Sequence, residues 1–344
     1  MSLAYRPTES AEFGREKSRG HLGERPRPVS WPAMTSPPGA MELEALRIPL
    51  TGYCYRMLGG SSETEDAVQE TLLRAFREIG TFDPARARLT TWAHRIAHNV
   101  CVDLLRAAGR RAAPMDVGSL GEPGVFGEPM PGAFVEPMPD ARLIAGADPA
   151  QRVVERESIR LAFVAALQLL TPPQRAALIL RDVLSFSANE TAEILGSSTA
   201  AVNSALQRAR ATLAENRTVS VPEATARDLA ERYARAFEAH DLDGLVAVLH
   251  ADATTSMPPL RWWMRGATTI AELMATSDAC AADRLLVTEI NGQIGFGQYR
   301  PGDTGALEPF ALVGLEFRDG RIGHTTTFLG TGERFAEFGL PTRF

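Results

Sequence analysis

The sequence predicts a multidomain chain: two all-α blocks, the second ending in a helix-turn-helix, followed by an α+β domain with a curled antiparallel sheet. Three observations carry this reading. Apolar residues recur at helical spacing, behind recognisable caps, across 41–111 and again across 151–217. Between these blocks, 112–150 is crowded with proline, glycine and acid. From Pro222 a long amphipathic helix gives way to alternating runs punctuated by Asn291-Gly292 and Asp319-Gly320.

Residues 1–40 are polar and proline-rich, lack the apolar core of a signal peptide, and are expected to form a disordered extension, with Met34 or Met41 as alternative starts. In the first block, Ser62 with Glu65 three residues on reads as a capping box. It opens a helix whose buried stripe is Val68, Leu72, Ala75, Phe76 and Ile79, and whose polar face carries Asp66, Gln69, Glu70 and Arg77. The next helix, LTTWAHRIAHNVCVDLLRAAGRR, sets Trp92, Ile96, Val100 and Leu104 on one side, with Arg95, Asn99, Asp103, Arg106 and Arg110 on the other. Arginines and amides near an aromatic ring suit phosphate contacts and an unstacked DNA strand, although solvated arginines give the same pattern.

The stretch 112–150 holds Asp116, Glu122, Glu128, Glu136, Asp140 and Asp148 against Arg142 alone, and near-repeats itself in GEPGVFGEPMPGAFVEPMPD. Such a composition is expected to bury no core and to serve as an extended acidic linker. In the second block, Thr171 before Pro172-Pro173 with Gln174, and Ser187 with Glu190, mark two helix starts. After a turn at Gly196-Ser197-Ser198, Val202, Leu206, Ala209 and Leu213 recur at helical spacing. That leaves Ala200, Asn203, Ser204, Gln207 and Arg208 outward, as a major-groove recognition helix requires.

In the last domain, 222–344, a helix over 226–239 is followed by a short one opened by Asp241, with Leu245, Val246 and Leu249 buried. Strands are expected at 284–290, 294–299, 310–317 and 322–329. Asp252, Trp262, Trp263, Tyr299, His324 and Phe328 are the candidates for lining a ligand pocket in this domain. No acid–base pair stands out among them, so no catalytic residue is assigned.

The net charge of −6 is unevenly spread: +2 over 1–40, +1 over 41–111, −5 over 112–150, +2 over 151–217 and −6 over 218–344. The helical blocks are therefore near neutral to basic, which suits a protein that meets DNA with a partner's help rather than a free-standing tight binder. Cys54, Cys101 and Cys280 lie far apart, without zinc or disulfide spacing, which points to a reducing compartment. No apolar run approaches the ~20 residues of a membrane span. No phosphate loop, metal cluster or nucleophile triad is present, so no cofactor, metal or enzymatic activity is expected.

DAVQETLLRAF, TTWAHRIAHNVCVDLLR and the run from LTPPQRAALILRDV to AAVNSALQRARATL resemble, in order and separation, the sigma-70 family, and specifically its extracytoplasmic-function sigma factors. The resemblance covers about residues 46–217. It implies a cytoplasmic, non-enzymatic factor that binds bacterial core RNA polymerase and promoter DNA, with an anti-sigma protein as a further candidate partner. Region 2 would be 41–111, with Asp66, Gln69 and Glu70 facing the clamp helices of the largest subunit, and Trp92, Arg95, Asn99, Arg106 and Arg110 at the −10 element. Region 4 would be 151–217, docking on the β flap around Leu178, Ile179 and Val183 and reading the −35 element from Thr199, Asn203, Ser204 and Arg208. The tail, through AFEAHDLDGLVAVLHADATTSMPPL, INGQIGFGQY and FRDGRIGHTTTFLG, resembles SnoaL-like domains of the NTF2-like superfamily, which implies an α+β cone. Modulation of the sigma blocks is its expected role. The alternative is a polymerase-independent helix-turn-helix regulator with a ligand-sensing cone, which leaves the first block unexplained.

Overall fold

The computed structural model describes residues 39–107, 111, 120–121, 128–144, 149–214, 221–276 and 280–343. The first block packs α1 (Ala40–Glu44), α2 (Arg47–Leu58), α3 (Ser61–Glu78) and α4 (Leu89–Ala107). Helix α2, RIPLTGYCYRML, is apolar nearly all round and is buried continuously from Leu50 to Leu58, so it forms the centre of the block. Gly59 ends it in the left-handed region, at φ 76°, where a side chain would be strained.

Helix α3 departs from the sequence reading in two ways. It starts at Ser61 behind an extended Gly60, so Ser62 lies inside the helix and its hydroxyl donates to Glu63 at 3.0 Å instead of capping. A distant carboxylate does part of that work: Glu136 Oε2 accepts from the Ser61 N–H at 2.8 Å and the Ser61 hydroxyl at 2.7 Å. The buried stripe is Ala67, Val68, Thr71 and Ala75, whereas Phe76 is 60% exposed.

The expectation that 112–150 buries nothing is corrected for its described part. Phe134, Val135, Met138 and Leu143 are all buried, the last in a short helix α5 (Asp140–Leu143). Composition misled because the few apolar residues of this stretch need no core of their own; they are covered by two neighbouring domains.

The second block runs through α6 (Pro149–Ile159), α7 (Leu161–Leu167) and α8 (Pro172–Leu178), which continues as a π-turn over Ile179–Val183, then α9 (Ala188–Ile194) and α10 (Thr199–Ala214). It shares a core with the first block: Leu178, Ile179, Phe186 and Leu206 pack in one cluster with Leu50, Met57, Ala97 and Cys101.

The C-terminal domain comprises α11 (Glu223–Glu238), α12 (Leu242–Val248), β1 (Leu249–Ser256), β2 (Trp263–Arg265), α13 (Ala267–Thr276), β3 (Arg284–Ile290), β4 (Gln293–Pro301), β5 (Leu307–Arg318) and β6 (Arg321–Leu329). The six-stranded sheet has the order β2-β1-β6-β5-β4-β3, antiparallel except for the β1–β6 pair. Both expected hairpins form, with Asn291 and Gly292 at φ 53° and 73° and Asp319 and Gly320 at φ 51° and 69°. Strands β1 and β2 and helix α13 went unassigned from sequence, because LHADATTS shows no clean alternation and β2 is only three residues long.

The sheet buries both faces. Phe296, Val313, Leu315 and Ile322 meet α11, α12 and α13 through Tyr233, Phe237, Leu245 and Ile270. On the opposite face Ile290, Leu312 and Phe328 meet Tyr55 of the first block, Val135 and Met138 of the linker, and Ile159 and Leu161 of the second block.

Candidate polymerase and promoter surfaces

The helix-turn-helix is built as its punctuation predicts. The Ser187 N–H donates to Glu190 Oε2 at 2.9 Å and the Glu190 N–H to Ser187 Oγ at 3.2 Å, a reciprocal cap on α9. Gly196, at φ 59°, makes the turn, and Ser198 caps α10 by accepting from the Ala201 N–H at 3.2 Å. Val202, Ala205, Leu206 and Ala209 face inward, so Ala200, Asn203, Ser204, Gln207 and Arg208 are exposed, with Thr199 partly so. Arg208 donates to Ser204 at 2.6 Å, one turn away. Arg210 is held bidentately by Asp182 at 2.8 and 2.6 Å, which ties α10 to the π-turn.

On α4, Arg95, Asn99 and Arg106 are exposed along one side, spanning about 17 Å of helix at ~1.5 Å per residue. Trp92 is half-buried, its ring tilted against Phe82 at 5.5 Å, at the edge of the bundle. Arg110 lies outside the described residues. The inner side of α4 holds His94 and His98, both lowered to about 4 by burial, so neither adds positive charge near neutral pH.

On α3, Asp66 and Gln69 are exposed, and Glu70 is partly so, accepting from Arg74 at 2.6 Å. Leu73, 43% exposed, and Phe76 extend this surface, following Gln69 at positions four and seven. The sequence reading sets Phe76 in the buried stripe and leaves Leu73 unassigned, because an aromatic on an amphipathic helix reads as core by default. Their shared exposure beside polar residues is a signal only the packed bundle supplies.

Leu178, Ile179 and Val183 are 4, 0 and 5% exposed, so the expectation that they present an apolar docking face is corrected for this closed arrangement. Arg175 adds to that closure, donating to Gln168 Oε1 at 2.5 Å and to the Met57 carbonyl. Arg88 of the first block pairs with Glu190 of α9.

The expected pocket residues do not converge. Trp262 lines a cavity inside the C-terminal domain, while Trp263 lies on edge strand β2, partly exposed. Tyr299 and Phe328 belong to the opposite side of the sheet, where the Tyr299 hydroxyl donates to the Pro341 carbonyl at 2.8 Å. His324 joins β6 to β1, at 2.7 Å from Thr254 Oγ1 and 3.2 Å from Ser256 Oγ, and burial lowers it to about 4. Asp252 is exposed and paired with Arg265 at 3.2 Å. The missing information was strand parity: Phe296, Gln298 and Arg300 face the helices and their cavity, so Tyr299 between them faces the other way.

Opposite His324 in register is Glu316, on the same sheet face as Leu312 and Phe328, which meets the two helical blocks. Burial raises its carboxyl to about 7 while Arg160 opposes the shift. A folded pKa above the unfolded value gives a contribution that is full below about pH 4.5 and lost as pH rises through about 7. Glu316→Gln is therefore expected to stabilise the chain by roughly 1–3 kcal/mol at pH 8 and to be near neutral at pH 5. Denaturant midpoints at the two pH values check this; equal effects at both would refute it.

Residues 43–111 match the family model Sigma-70 region 2, and residues 160–213 match Sigma-70, region 4. With two sigma blocks in order ahead of a helix-backed sheet, the chain belongs to the extracytoplasmic-function sigma factors, which associate with RNA polymerase and direct promoter-specific transcription initiation. It is 44% identical over 314 residues to the ECF RNA polymerase sigma factor SigG of Mycobacterium tuberculosis, covering 87% of this chain and 82% of that one. It is 34% identical over 215 residues to the ECF RNA polymerase sigma factor SigJ of the same organism, covering 62% of each. The crystal structure of Mycobacterium tuberculosis SigJ matches with a TM-score of 0.58 at 25% identity, over 88% of this chain and all of that one. Among the described residues, no helix is long and apolar enough to cross a membrane, and no His, Cys, Asp and Glu cluster could hold a metal ion.

Proposed function

We propose that the free chain is a closed form of the sigma factor in which the C-terminal domain holds regions 2 and 4 together, and that core polymerase must open it. In this reading Asp66, Gln69, Glu70, Leu73 and Phe76 meet the clamp helices of the largest subunit. Helix α4 engages the −10 element through Trp92, Arg95, Asn99 and Arg106, and Arg110 belongs to the same set. Helix α10 engages the −35 element through Thr199, Asn203, Ser204 and Arg208. Leu178, Ile179 and Val183 reach the β flap only after region 4 leaves region 2. The protein acts in the cytoplasm and has no catalytic role, and an anti-sigma protein would compete for the same opened surfaces.

The observation that carries this reading is the Asn291 turn at the junction of all three parts. Asn291 is fully buried, and its Nδ2 donates to the Tyr55 hydroxyl at 2.7 Å and to the Ile159 carbonyl at 2.8 Å, while its Oδ1 accepts from the Met138 N–H at 2.9 Å. One side chain thus joins region 2, the linker and the entry to region 4. Run-off transcription with purified bacterial core polymerase on a promoter library tests the proposal, comparing the full chain with one ending at Val221. The shorter chain is expected to give more promoter-specific transcript. Equal yields would remove the regulatory role of the tail, and transcription that ignores substitutions on α4 and α10 would remove the promoter contacts.

A further inference from the structure

Between the sheet and its helices lies a cavity of about 300 Å³, roughly ten times the ~30 Å³ share of one water and within the size range of small-molecule sites. Its walls are mostly apolar, with Phe237, Met274, Leu285 and Leu329 prominent, and Gln298 and Arg300 join Thr255 and Thr327 among its polar lining residues. That polar end is built rather than incidental. Asp283, 1% exposed, accepts from Arg300 Nε at 3.0 and 3.2 Å, from Arg300 Nη2 at 2.8 Å and from Gln298 Nε2 at 2.5 Å. Phe310 supports the guanidinium face at 3.7 Å. The pair is neutral as a unit, and the bonds from Arg300 to Asp283 run through Nε and Nη2, so Nη1 is the guanidinium nitrogen not committed to that carboxylate. A neutral ligand enters such a site at less desolvation cost than a free carboxylate.

One wall of the cavity is also the seat of the sigma linker. Met257, Leu260 and Trp262 line it from the loop before β2. The backbone of that loop and of β2 is bound from outside by linker residues: the Met130 N–H donates to the Pro259 carbonyl at 2.7 Å, the Arg261 N–H to Glu128 at 3.3 Å, and the Gly121 N–H to Trp263 at 2.8 Å. A Cβ at Gly121 would come within 2.3 Å of the Trp262 indole nitrogen, so the ring lies directly on the linker backbone. Further along, the same linker supplies Glu136 to the start of α3 and Met138 to Asn291.

We propose that this cavity is an effector site for a neutral, largely apolar small molecule with a carbonyl-type acceptor at one end, and that its occupancy reaches the sigma blocks through the 257–263 loop and the linker bound to it. Only the second half of this statement rests on the regulatory reading above.

The test uses the full chain and prodan, a neutral naphthalene ketone whose emission shifts to the blue in an apolar site. Saturable one-site binding is expected, weakened about tenfold or more by Met257→Trp, which fills part of the cavity, and several-fold by Gly121→Ala, which displaces the Trp262 ring. The same ring system without its ketone should bind less tightly. That preference should vanish in the Asp283→Asn, Arg300→Gln double variant, which removes both charges together and strands neither. Saturation with prodan should slow amide hydrogen exchange at Gly121 and Met130. Lack of saturable binding, or equal binding by the Met257→Trp and parent chains, overturns the site; binding without slowed exchange at those amides overturns the coupling. Either failure is distinct from failure of the regulatory reading, which transcription by the full and shortened chains decides.

Discussion

Asn291→Ala is expected to lower the stability of the full chain by about 3–5 kcal/mol, a large fraction of the net stability of an ordinary domain. The substitution strands the Ile159 carbonyl and the Met138 N–H, and removes a donor from the Tyr55 hydroxyl, among residues that are all fully buried. Each stranded group costs about 1–3 kcal/mol. Alanine also has to adopt φ near 53°, which asparagine tolerates better by about 1 kcal/mol. Urea unfolding of the full chain measures the loss. Because the lost contacts join the tail to both sigma regions, promoter-specific transcription should rise as stability falls. A variant that unfolds with the parent's midpoint would mean that the seam is not closed in solution.

The Leu73→Ala, Phe76→Ala double variant should behave in the opposite way. Both side chains are largely exposed on α3, so their truncation should change the unfolding midpoint by no more than about 0.5 kcal/mol per site. Core polymerase binding should weaken about 10- to 100-fold, as expected when apolar anchors are removed from the centre of an interface. A buried phenylalanine truncated to alanine would instead cost about 3–5 kcal/mol. Fluorescence titration of labelled protein with core polymerase separates the cases, and unaltered affinity would place the docking surface elsewhere.

Much of the site was legible because helices carry their boundaries and faces locally. Ser187 and Glu190 cap α9 as their spacing demands, and the exposed row of α10 follows from Val202, Leu206 and Ala209 being buried. The Asn-Gly and Asp-Gly turns placed both hairpins, since few residue pairs accept two successive positive φ values. These are one-dimensional signals, decided within a turn or two of chain.

What failed depended on partners distant in sequence. Ser62 had the cap motif, but Glu136, 75 residues away from Ser61, took the helix start. Leu178, Ile179 and Val183 are apolar at helical spacing, but what covers them is set by region 2. Met138 looked like linker because its neighbours are Pro137 and Pro139, and it is fully buried because a sheet from residues beyond 284 closes over it.

Local signals along the chain carried the two helical blocks and the α+β tail, the helix-turn-helix with its outward residues, four of the six strands and the sigma-factor family. Which apolar faces are open and which are covered is set by packing between elements distant in the chain. Periodicity shows that a face must be buried, since exposing it to water is unfavourable, but burial is satisfied equally by any apolar surface of the right shape. The choice among those surfaces, and with it the closed arrangement around Asn291, exists only in three dimensions.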